Sequence, residues 1–167
     1  MRALLFALAV ALAAPAAAQQ NGDVATASQR LAAIWRPVNG ALTEASMRDA
    51  CAGAVEELAA VEASMPPVLT PESMARVRSL HGLLIIPSSD DPAWMFFIPP
   101  RDLDWFTSGM GAIAPIDDPQ SGLIGVRDAG GRDIALQLGR AGQRGVLRVR
   151  APEGSLLTFV GCAPIAR

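Results

Sequence analysis

The chain reads as an α+β domain, with N-terminal helices packed on a twisted antiparallel sheet of five to six strands. One of those helices is long, at about 43–65. Three observations predict this. Over 43–65, Met47, Cys51, Ala54, Leu58, Val61 and Met65 recur at steps of three and four, the spacing of one helix face. Over 83–86 and 93–98, two short runs are apolar at every position, as strands covered on both faces are. From 122 onward, apolar and polar residues alternate between glycine-rich turns, the pattern of an antiparallel meander.

The first residues set the compartment. Met1 and Arg2 give a short positive start, 3–14 is an uncharged apolar run, and Pro15 ends it. Ala16 and Ala18 are the small residues that a signal peptidase reads, so a secretory signal is expected over 1–18, cut after Ala18. The run is short of the roughly 20 apolar residues that a membrane helix needs. Residues 19–167 then form one domain, expected in the periplasm or secreted, with no later stretch apolar enough to span a bilayer. All 14 basic residues are arginine, and the abundance of Ala, Gly and Pro beside them suggests GC-rich coding and a bacterial source. A net charge of −2 argues against nucleic acid as a partner, because phosphate binding draws on a basic excess. The 2 cysteines, Cys51 and Cys162, are expected to pair, as they do in most exported proteins.

Taken in order, residues 24–35 place Val24, Leu31, Ile34 and Trp35 on one side of a helix, which Arg36-Pro37 stops. Thr43 caps the long helix, and Glu44 faces the positive end of its dipole. Gly53 falls in mid-helix, where glycine costs up to about 1 kcal/mol relative to alanine. Thr70-Pro71-Glu72 opens a short helix that lines up Met74, Val77 and Leu80 and ends at Gly82. The runs 83–86 and 93–98 form a hairpin around an acidic loop, and Asp102 caps a helical turn over 103–107. Glycines and Pro115 interrupt 110–116, which reads as an irregular or edge strand. Strands follow over 122–127, 132–138, 146–151 and 156–162, with 139–145 a flexible connection. On the last strand Leu156, Val160 and Cys162 share a face, so a bond to Cys51 lays the long helix across that face. The layout resembles cystatin-like or nuclear-transport-factor-like rolls, in which a helix lies in the curve of a sheet. A likeness at the level of fold carries no function.

Candidate sites are few. Asp90, Asp91, Asp102 and Asp104 crowd the hairpin, but pairing of its strands sends the first two to one end and the last two to the other. A six-residue strand spans roughly 20 Å, so no metal site is expected, and turn or cap duties fit these acids better. His81 is the 1 histidine and would have to serve any imidazole-based catalysis, yet beside Gly82 it suits a helix cap. Nucleophile elbow, phosphate loop and dinucleotide fingerprint are all missing, so no cofactor is expected. Two surfaces remain. Trp94 and Phe96 share one strand face with Ile98 and present more apolar area than one helix covers. Arg148 and Arg150 share another face and form a basic strip.

The leading expectation is a non-enzymatic exported binding or interaction domain, its partner an envelope protein or an apolar or anionic small ligand. A carrier would instead hold an apolar or amphiphilic ligand in a cavity lined by Leu58, Trp94 and Phe96. A small hydrolase would use His81 with one of the aspartates.

Overall fold

A computed structural model describes residues 14–64, 82–100, 103–114, 116, 118 and 120–165. Within them the chain is an eight-stranded closed antiparallel barrel with strands in sequence order. The strands are β1 (Ala33–Pro37), β2 (Leu83–Pro87), β3 (Trp94–Ile98), β4 (Gly109–Ile113), β5 (Leu123–Arg127), β6 (Asp133–Ala141), β7 (Arg144–Arg150) and β8 (Leu156–Pro164). Helices α1 (Ala14–Leu31), α2 (Glu44–Ala50) and α3 (Ala54–Ser64) complete the described elements.

This corrects the expected open sheet of five to six strands. The strand that closes the barrel is β1, which pairs with β2 on one side and β8 on the other. Its residues had read as the end of a helix. In fact α1 stops at Leu31 and the chain is extended by Ala33, so Ile34 and Trp35 point to opposite faces instead of one. Ile34 joins the layer under α3, and Trp35 enters the barrel. Closure removes sheet edges, so β4 is not an edge strand but pairs with both β3 and β5. The presumed connection over 139–145 is also strand, apart from a tight turn at Gly142-Gln143, where Gly142 takes a φ of +58°.

The long helix is likewise two helices. Thr43 does cap α2, accepting from the Ser46 N–H at 3.1 Å while Ser46 Oγ accepts from the Thr43 N–H at 3.0 Å. Gly53 then adopts φ +74°, and the chain turns before α3 begins. That break lets the two helices cover different parts of the outer wall. Met47 of α2 packs with Val38 and Val160. Ala54 and Leu58 of α3 pack with Ile34, Leu84, Ile98 and Ala163. The short helix expected over 70–82 lies outside the described residues except for Gly82. A Cβ at Gly82 would meet the Trp35 carbonyl oxygen at 2.6 Å, so glycine lets β1 and β2 close on each other.

Cys51 and Cys162 are bonded, with their Cα atoms 5.1 Å apart. In the β1–β8 ladder Ile34 opposes Ala163 and Trp35 opposes Gly161, which leaves Cys162 as the extra residue of a β-bulge. Cys162 keeps the outward face of Val160, as expected, and the bulge lets Ala163 turn outward beside it. The helix face expected over Leu156 and Val160 is therefore half realised: Val160 is buried beneath α2 and Leu156 is exposed.

An eight-stranded barrel has an interior just wide enough for side chains to fill, and that is what they do. Trp35, Leu83, Ile85, Met95, Phe97, Leu136, Leu147 and Val149 are all buried in one cluster. Val24, Ala27 and Leu31 of α1 join that cluster, so α1 closes the end at which β1 begins. These three residues lie beyond the expected cleavage point after Ala18, which α1 spans. Leu103 and Phe106 close the other end, with Phe106 5.4 Å from the Phe97 ring and 5.9 Å from the Trp105 ring.

That second closure is pinned by Asp128, which is buried. One carboxylate oxygen accepts the Thr107 N–H at 2.9 Å, and the other accepts the Gly130 and Arg132 N–H groups, each at 2.9 Å. Burial pushes the carboxyl upward, but these hydrogen bonds to its charged form outweigh that, and it sits below its ordinary range. A carboxylate depressed on folding stabilises above its unfolded value, about 3.9, and the contribution is lost as pH falls through the lower folded value. Asp128→Ala is expected to cost about 2–3 kcal/mol at neutral pH, as loss of hydrogen bonds to a charged group does. In urea titrations from pH 7 down, the gap between wild type and variant should narrow only below about pH 4. A gap that stays constant into strong acid would refute the role of the charge.

Candidate functional site

The four surface residues expected to bind fall on two sites, not one. Alternation along β3 sends Met95 and Phe97 inward and Trp94, Phe96 and Ile98 outward. Ile98 is covered by α3, Phe96 is half-buried at the margin of that layer, and Trp94 is 45% exposed. Across the strands Phe96 lies between Ile86 of β2 and Met110 of β4, while Trp94 pairs with Ala112. Met110 is itself 41% exposed. An apolar row, Ile86–Phe96–Met110, thus emerges from beneath α3 and is crowned by an indole in solvent.

Arg148 and Arg150 face outward from β7. In an eight-stranded ring β7 is four strands from β3 in either direction, so the basic strip and the apolar row lie on opposite sides of the barrel. Arg148 is flanked by Gln137 on β6 and Thr158 on β8, and Arg150 pairs with Leu156 on β8. Asp133, a conceivable partner for the strip, is instead engaged bidentately by Arg127, at 2.8 and 3.1 Å.

The aspartates of the β2–β3 loop serve the turn. Asp91 Oδ1 accepts the Ala93 N–H at 2.8 Å, and Asp90 Oδ1 accepts the Ser89 hydroxyl at 2.9 Å. Asp104 sits at the opposite end of β3, exposed. His81 and Asp102 lie outside the described residues. Among the described residues, no three His, Cys, Asp or Glu side chains gather as a metal would require. The residues expected to line a carrier cavity do not share one, because Leu58 is buried between α3 and the barrel wall while Trp94 is on the surface.

Three features escaped the sequence reading. Met110 opened a glycine-broken run read as an irregular or edge strand, and its place beside Phe96 was not anticipated. Arg36, outward on β1 and buried, forms an ion pair with Glu57 of α3. Its place beside a proline suggested only a helix stop. Asp128 looked like an ordinary turn residue, and nothing local marks it as buried.

No helix among the described residues is long and apolar enough to cross a membrane. Compared with known proteins, the chain matches no family model, no curated protein and no solved structure.

Proposed function

We propose that this is an exported, non-enzymatic interaction domain that docks another envelope protein on the outer face of β3 and β4. The observation that carries the reading is Trp94, 45% exposed beside an apolar row while the other aromatics among the described residues are wholly or partly buried. Tryptophan is over-represented among residues that dominate protein–protein binding, because a rigid apolar body ends in one N–H donor. The barrel supports this use: Trp94 stands on a strand whose other face is locked into the core by Met95 and Phe97, so the surface is preorganised. The disulfide fits an oxidising compartment. A partner offering an apolar pocket to the indole meets this surface.

The test is site-specific photocross-linking of the full chain in its native host, with the photoreactive residue at position 94 or, as control, at the exposed position 135 on β6. The expected result is one discrete adduct with a different protein from position 94, lost when Met110→Glu is added. Adducts from position 135 equal to those from 94, or only adducts of two copies of this chain, would overturn the reading.

A further inference from the structure

The link between β1 and α2 carries a reactive pair that neither the interaction surface nor the disulfide uses. The chain has 2 asparagines, Asn21 and Asn39, and each is followed by glycine. Their settings differ. Gly22 lies within α1, where an amide N–H is engaged by the carbonyl four residues before it. Asn39 and Gly40 lie outside any helix or strand, and both are exposed. Among the described residues the Gly40 N–H donates no hydrogen bond, and the Asn39 side chain makes none either. Gly40 has a φ of +91°, and a Cβ built there would have nothing within 4 Å. The ends of the link are fixed: the Val38 N–H donates to the Thr158 carbonyl at 2.9 Å, and Thr43 caps α2. A free backbone amide and a free carboxamide thus sit side by side between two anchors, open to water.

A backbone nitrogen that follows an asparagine can attack its side-chain carbonyl, the reaction that makes asparagine thermolabile. Glycine allows it best, because no Cβ crowds the nitrogen and the backbone turns freely into the geometry that closes the ring. We infer that Asn39, and not Asn21, is a deamidation site, with water as the only co-reactant. The Gly40 nitrogen bonds to Asn39 Cγ and the Cγ–Nδ2 bond breaks. Nδ2 leaves as ammonia, taking the proton that the Gly40 nitrogen gives up. Water then opens the resulting cyclic imide at either carbonyl. Opening at Cγ gives aspartate on an unchanged backbone. Opening at the Asn39 backbone carbonyl gives isoaspartate, in which the chain runs through Cγ and is longer by a methylene. Either product adds a negative charge to the present net −2. The new carboxylate is solvated, since residues 39–41 are all exposed, and the anchors at Val38 and Thr43 stay in place.

The experiment is incubation of the full chain in mildly alkaline buffer, folded and in urea, with each asparagine followed by peptide mapping and mass spectrometry. In urea the two sites have the same chemistry and should convert at similar rates. In the folded chain Asn39 should keep close to its rate in urea, while Asn21 falls behind by about tenfold or more, because its helix must open first. Fragmentation that separates aspartate from isoaspartate should find both at position 39. Gly40→Ala should slow conversion at Asn39 by about tenfold or more, since alanine shields the nitrogen and rarely takes a positive φ. The inference is overturned if Asn39 converts in urea but not in the folded chain, or if Asn21 converts as fast as Asn39 when folded. Conversion of the folded Gly40→Ala variant at the wild-type rate would overturn it as well. Position 94 plays no part in this test, so it stands or falls apart from the interaction surface.

Discussion

Replacing both cysteines, Cys51→Ala with Cys162→Ala, is expected to lower the stability of the domain by about 4–5 kcal/mol. The bond joins residues 111 apart in sequence. On the chain-entropy view, closing a loop of that length takes more freedom from the unfolded state than a short loop would, and a 100-residue loop is worth about 4.7 kcal/mol. The native position of the bond adds to this. Cys162 is the extra residue in the ladder that closes the barrel, and Cys51 ends the helix that covers Val160. Without the bond, α2 and α3 are held by their apolar contacts and by the Arg36–Glu57 pair, while β8 keeps its bulge with nothing fastened to it. Thermal unfolding of the oxidised protein and the double variant should differ by roughly 10–15 °C for a domain of this size. A difference under about 2 °C would mean that the helical layer and the barrel hold together as well untethered.

The pairing of the cysteines was legible because a leader-like start makes an oxidising compartment the expectation, and the 2 cysteines of a chain read that way are expected to pair. Most strands were legible too, since alternation at Ile134, Leu136 and Leu138, or at Leu147 and Val149, reports a buried face directly. What the sequence did not show was closure. That depended on five residues, Ala33–Pro37, whose apolar members also fit a helical stripe continued from Val24 and Leu31. A short apolar run cannot be assigned by periodicity alone. Here the tertiary environment decides, because extended backbone at β1 satisfies β2 and β8 together. Gly53 was a weaker clue read as a cost, when its left-handed conformation is the reason two helices can grip two patches. Of the surface sites, the residue types were visible but not their separation. Trp94 and Arg148 could share one sheet face on paper, and only the ring places them back to back.

Trp35 is where the barrel's own packing can be tested, and Trp35→Ala is expected to cost about 3–5 kcal/mol. The indole is buried in the interior, and its Nε1–H donates to the Leu31 carbonyl at 2.8 Å, tying α1 to the strand that follows it. Two strands make room for the ring by carrying glycine: a Cβ at Gly145 would lie 3.4 Å from it, and one at Gly161 3.3 Å. Those walls are backbone held in paired strands, so they cannot collapse into the space an alanine leaves, and the cavity term stays near its full size. The same geometry predicts a coupling. In the native protein Gly161→Ala crowds the ring and should destabilise, by about 1–3 kcal/mol as overpacking does. In the Trp35→Ala background the added methyl enters vacated space, and the cost should shrink or change sign. A double-mutant cycle in urea should therefore return an interaction energy of at least about 1 kcal/mol. Additive effects would show that the glycines do not serve the indole, and the barrel's interior would then owe its fit to some other arrangement.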